Sequence, residues 1–143
     1  MSLVLDASAF KILAKQRNLY DLCRMLSELS RRDGRRYMIL VPNSLLKLYE
    51  RLVPRLRFEP RILKRSIPLA IPEAQQYRSN RLFQQLLRDL TEFFRSEKHT
   101  GAEEDAEWLA TALMYHIEYI KDGDFLVITH GEYEYRRFAS AKN

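Results

Sequence analysis

Leu3-Val4-Leu5-Asp6-Ala7-Ser8-Ala9-Phe10 decides the fold. The apolar run Leu3 to Leu5 has the length of a buried strand, and Asp6 breaks it where that strand should end. Open α/β sheets gather their ligands in the crevice at the carboxyl ends of parallel strands. An acid in that place, followed by small Ala7, Ser8 and Ala9, leaves room for an ion or a phosphate. Many α/β proteins instead carry an acid here to cap the helix that follows, because its carboxylate accepts the exposed N–H groups of a first turn, and this is the commoner use of such a residue.

Moving outward, strands alternate with helices along the chain. A first helix is expected over about Ser8 to Gln16. A second, capped by Asn18, carries Leu19, Leu22, Leu26 and Leu29 on one stripe and ends near the Asp33-Gly34 turn. Tyr37 to Val41 reads as a strand stopped by Pro42, after which Asn43 or Ser44 caps a helix with Leu45, Leu48 and Leu52, terminated by Pro54. Ser66 to Ile71, containing Pro68, reads as a short edge strand or an extended connection. Glu73 to Glu97 is expected to be helical, with Leu82, Phe83, Leu86, Leu87, Leu90, Phe93 and Phe94 as its core stripe. The Thr100 and Glu103 spacing is that of a capping box and opens a helix through about Tyr119. Asp122-Gly123-Asp124 is a turn, Phe125 to Ile128 a further buried strand, and the tail from Glu132 onward a short helix. This alternation predicts an α/β fold, a three-layer α/β/α arrangement with a mainly parallel central sheet.

The 143 residues suit a single domain able to bury a core without staples. Cys23 is the only cysteine, which excludes an intramolecular disulfide framework and fits a reducing compartment. No apolar run reaches the length of a membrane span and Met1-Ser2-Leu3 lacks the pattern of a signal peptide, so a cytoplasmic protein is expected. Net charge is +5, and 17 of the 24 basic residues are arginine, whose planar fork suits phosphate oxygens. Arg51, Arg55, Arg57, Arg61, Lys64 and Arg65 stand against Glu59 alone, and Arg31, Arg32, Arg35 and Arg36 surround Asp33-Gly34. Such clusters bind nucleic-acid backbones by releasing condensed counterions, or else form a solvated, ion-pair-rich face.

Three acidic neighbourhoods are placed to meet at the strand ends: Asp6, the group Glu103, Glu104 and Asp105, and the pair Glu132 and Glu134. Carboxylates that converge without partners repel one another unless a cation neutralises them, and Mg²⁺ or Mn²⁺ prefers oxygen ligands of this kind. His99, His116 and His130 make no metal-ligand spacing. The four glycines form no phosphate-cradling loop, which weighs against a nucleotide-binding domain, and the paired acids of a receiver domain are missing.

Leu3-Val4-Leu5-Asp6-Ala7-Ser8-Ala9-Phe10 resembles the opening of PIN domains. The resemblance continues at Val41-Pro42-Asn43-Ser44-Leu45-Leu46, returns at Asp105-Ala106-Glu107-Trp108-Leu109-Ala110-Thr111-Ala112 and closes at Phe125-Leu126-Val127-Ile128-Thr129. The pieces come in the family's order over nearly the whole chain. The resemblance implies a Mg²⁺- or Mn²⁺-dependent endoribonuclease with about four acids around the metal. It also implies RNA as partner, with a toxin-antitoxin role, an antitoxin-like protein partner and a homodimer as possibilities.

Carried over by position, Asp6 and Asp105 match the family's acids, while Lys47 and Gly131 stand where two further acids are usual. Glu104 or Glu132 would then complete the metal shell, with Glu50 and Glu134 as neighbouring substitutes. Ser8 and Thr129 would support the site, and Arg51, Arg55, Arg57 and Arg61 would hold the RNA strand. In this reading the ion polarises a phosphodiester and activates the attacking water. The exchanged positions 47 and 131 favour an alternative, a catalytically inactive PIN-like scaffold binding RNA or a protein, in which the Lys47 ammonium pairs with Asp6 and Asp105 in place of the cation.

Overall fold

A computed structural model describes residues 1–15, 37–52, 69–121 and 123–129, together with the isolated helical positions Asp21, Arg24, Glu28, Arg31 and Arg32. In chain order the elements are β1 (Ser2–Leu5), α1 (Ala7–Lys15), β2 (Met38–Leu40), α2 (Asn43–Leu52), β3 (Leu69–Ala70), α3 (Arg81–Ser96), α4 (Ala102–Tyr115) and β4 (Phe125–Ile128). The strands form one sheet in the order β3-β2-β1-β4, and every pairing is parallel. Helices cover it in the three-layer α/β/α arrangement that the alternation predicts.

Strand order follows from burial. All four residues of β1 are buried, as befits a central parallel strand whose two faces are both covered. β4 lies at an edge and is only partly covered, with Leu126 43% exposed, so the expectation of a buried last strand is corrected. β3 closes the other edge. The register aligns Leu5 with Ile128, so β1 and β4 end side by side.

Two helix boundaries differ from the sequence reading. The expected continuous helix from Glu73 to Glu97 is divided: Ala74–Tyr77 is a 3-10 turn, and Asn80 then caps α3 by accepting the Phe83 N–H at 3.1 Å. Asparagine competes for backbone donors and so favours a cap over a helix interior. Within α3, Phe83, Leu90 and Phe94 are buried as expected, whereas Leu82 is 46% exposed and leaves the core stripe.

The Thr100 and Glu103 capping box is not formed. Gly101, left-handed at φ 74°, is the cap residue of α4 and supplies no side-chain hydrogen bond, while Glu103 pairs across to Arg95 of α3. A left-handed cap turns the chain differently from the extended cap that a capping box needs, and glycine adopts it without steric cost. α4 then runs into a π turn, His116–Ile120, closed by the Lys121 N–H on the His116 carbonyl at 2.8 Å.

The helical positions Asp21, Arg24, Glu28, Arg31 and Arg32 are all exposed, the polar side expected of an amphipathic helix. Asn18, Leu19, Leu22, Cys23, Leu26, Leu29, the Asp33-Gly34 turn and the tail from Glu132 lie outside the described residues. Among the described residues, no helix is long and apolar enough to cross a membrane.

Candidate functional site

The chain passes from β1 to β2 and β3 on one side and then crosses to set β4 on the other side of β1. The crevice outside the ends of β1 and β4 is therefore the topological switch point, where open α/β sheets bind their ligands. Asp6 stands there, one residue past β1 and only 7% exposed. Its Oδ1 accepts the Ser8 hydroxyl and the Ala9 N–H, both at 2.8 Å, and its Oδ2 accepts the Thr129 hydroxyl from the end of β4. Of the two roles open to this residue, helix cap and site acid, the cap is plainly made. Ser8 and Thr129 both direct their hydroxyls at this carboxylate.

Beneath Asp6 lies a residue the sequence did not single out. Tyr49 of α2 is buried, stacks on Phe10 with ring centroids 3.8 Å apart, and donates its hydroxyl to the Leu5 carbonyl. Burial, and next the Asp6 charge beside it, push its phenol well above the ordinary tyrosine value. The helix that the family resemblance would equip with an acid thus sends a neutral phenol to the end of β1. Its only sequence signal is its place one turn after Leu45 on the buried side of α2.

Asp105 sits in the first turn of α4, where a negative charge is favoured by the helix dipole. Its Oδ1 accepts the Trp108 indole N–H at 2.9 Å, and its Oδ2 is paired with Nε2 of His99. The His99 and Asp105 side chains are 16% and 19% exposed, and the imidazole stacks on Phe94 with centroids 4.8 Å apart.

No family model matches the chain, and comparisons with curated proteins and with solved structures gave no match.

Between α2 and α4 opens a cleft of about 560 Å³, lined by Ser44, Lys47, Leu48, Glu50 and Arg51 on one side and Glu104, Glu107 and Trp108 on the other. Arg51 and Glu104 pair across it at 3.7 Å, both largely exposed. The pairing of Lys47 with Asp6 and Asp105 is not found: among the described residues its ammonium makes no ion pair, and Asp105 is paired with His99. Lys47 lines the cleft as an exposed cation. Glu50 also faces this cleft, and Arg51 pairs with Glu104 across it.

Mg²⁺ and Mn²⁺ need several oxygen donors at once. Among the described residues, no three His, Cys, Asp or Glu side chains come close enough together to hold a metal ion. Asp6 spends its carboxylate on α1 and β4, and Asp105 on His99 and Trp108. Among the described residues, Asp6 and Asp105 are not joined by the further carboxylates that a divalent ion would need. Glu132, Glu134, Gly131, His130, Arg55, Arg57 and Arg61 lie outside the described residues.

Proposed function

We propose that this chain is a PIN-like domain that binds RNA as a scaffold and does not cleave it by metal-assisted hydrolysis. One observation carries the reading: the two acids that match the family's positions are each committed to partners inside the protein. Asp6 accepts three protein donors, which gives it a role in the fold whether or not an ion is present. RNA is favoured as the partner by the surplus of +5 and by the arginine-rich clusters, two members of which, Arg31 and Arg32, are exposed on a helix. Lys47 adds an exposed cation beside the α2 and α4 cleft.

The metal-dependent ribonuclease reading keeps one specific support, the position of Asp6 at the switch point. A single experiment separates the two. Single-stranded and structured RNAs are incubated with the protein with and without Mn²⁺, and binding is followed by fluorescence anisotropy between about 50 and about 200 mM salt. Intact RNA with affinity that falls steeply with salt supports the scaffold. Cleavage that needs Mn²⁺ and disappears in Asp6→Asn and Asp105→Asn establishes the enzyme.

A further inference from the structure

We propose that His99 is a built-in partner that takes, at Asp105, the place a divalent cation would occupy. Five observations converge on it. The His99 Nε2 is paired with Asp105 Oδ2. The other carboxylate oxygen is held by the Trp108 indole, so both oxygens face donors from the protein.

The imidazole is fixed from two further directions. Its ring lies on Phe94, and its own backbone N–H donates to the Phe94 carbonyl at 2.9 Å, so the residue is anchored to the end of α3. Lys98, immediately before it, holds a left-handed φ of 57°, and its N–H closes the helix on the Arg95 carbonyl at 3.0 Å. This terminal turn aims residue 99 back toward the first turn of α4. An imidazole with Nε2–H donates whether or not it is charged, so the arrangement depends on position.

The inference rests on the preceding section only in matching Asp105 to the family's second acid; it does not depend on RNA. Trp108 makes it directly readable, because it is the sole tryptophan and its indole proton points at Asp105. In the ¹⁵N-labelled full chain, the indole signal and the Asp105 amide are followed while Mn²⁺ is added up to millimolar concentration. Both should broaden no more than amides on the exposed face of α3. Selective loss of the two signals, at Mn²⁺ levels that leave the others sharp, overturns the proposal by placing the ion at Asp105.

A second measurement tests the pairing itself. In a cycle of His99→Gln, Asp105→Asn and the double variant, the unfolding constants should depart from the product of the single effects by about tenfold, as contacting pairs do. Independent effects, agreeing within about twofold, also overturn it. If Asp105→Asn does not fold, the Mn²⁺ titration on the unaltered chain still decides. Failure to bind RNA would leave both readouts as they stand and would count against the scaffold reading alone.

Discussion

Thr129, one residue past β4, donates its hydroxyl to Oδ2 of Asp6, one residue past β1. The two strands are far apart in sequence and adjacent in the sheet, so this bond closes the end of the switch point. Asp6 simultaneously accepts the Ala9 N–H and its own N–H donates to the Ile128 carbonyl at 3.0 Å. One short side chain therefore joins β1, α1 and β4.

Asp6→Ala removes the cap and leaves the Ser8 and Thr129 hydroxyls without their acceptor. The cap alone is worth about 0.5–2 kcal/mol and each buried hydrogen bond about 1 kcal/mol. A loss of about 2–4 kcal/mol is expected on that basis, read as a fall in the urea midpoint. Asp6→Asn should lose far less, because its amide oxygen still serves Ser8 and Ala9 and the Thr129 hydroxyl can turn to accept. Equal losses for Ala and Asn would show that the negative charge, and not the cap, is what the fold uses.

Gly101→Ala probes the start of α4. A Cβ there meets nothing within 4 Å, so any penalty comes from the backbone at φ +74°. It should be about 1–2 kcal/mol, the cost of a left-handed conformation for an L side chain. Asn80→Ala should cost about 1 kcal/mol by removing the α3 cap. Thermal melts of the two variants check both figures, and a neutral Gly101→Ala would contradict the left-handed cap.

Lys47 and Arg51 lie one turn apart on α2 but differ in what holds them. Arg51 has Glu104 at 3.7 Å, whereas Lys47 makes no ion pair among the described residues. Lys47→Ala should therefore weaken RNA binding and lower the salt slope by about 1, while Arg51→Ala should have the smaller effect. The stability of Arg51→Ala should change by less than about 1 kcal/mol, as for other exposed pairs. A larger RNA effect at Arg51 would place the strand on the paired side of the cleft.

The sheet and its helices were legible because β1, β2 and α2 carry strong local signals. Leu3 to Leu5 is an apolar run of strand length, Pro42 stops the next strand, and Leu45 and Leu48 fall on a helical stripe. The place of Asp6 was legible for the same reason, since strand ends in a parallel sheet converge. Tyr49 and His99 were not. The polar contact each makes reaches across elements, Tyr49 on the Leu5 carbonyl and His99 on Asp105, and no periodicity marks such a pairing. Thr100 misled because a capping box is a local pattern, and the left-handed Gly101 beside it set the chain direction instead.

Tyr49 gives the fold a pH signature whose sign can be worked out. In the unfolded chain its phenol ionises near pH 10, and in the folded protein burial and the neighbouring Asp6 charge hold the proton well above that value. Above about pH 10 the unfolded state therefore binds fewer protons than the folded one, and stability falls as pH rises. Tyr77 adds to the same loss, its phenol being pushed up to about 12 by burial and then by Glu118, Tyr119 and Tyr115. Tyr49→Phe should cost about 1 kcal/mol near neutral pH, where the bond to the Leu5 carbonyl is lost. Lacking the phenol, the variant should also escape the Tyr49 share of the alkaline loss. The gap between the unaltered chain and Tyr49→Phe in urea midpoint should shrink as pH is raised from about 8 to about 11. A gap that stays constant over that range would mean that the Tyr49 hydroxyl titrates alike in the folded and unfolded chains, which a phenol sealed against Asp6 and Phe10 cannot do.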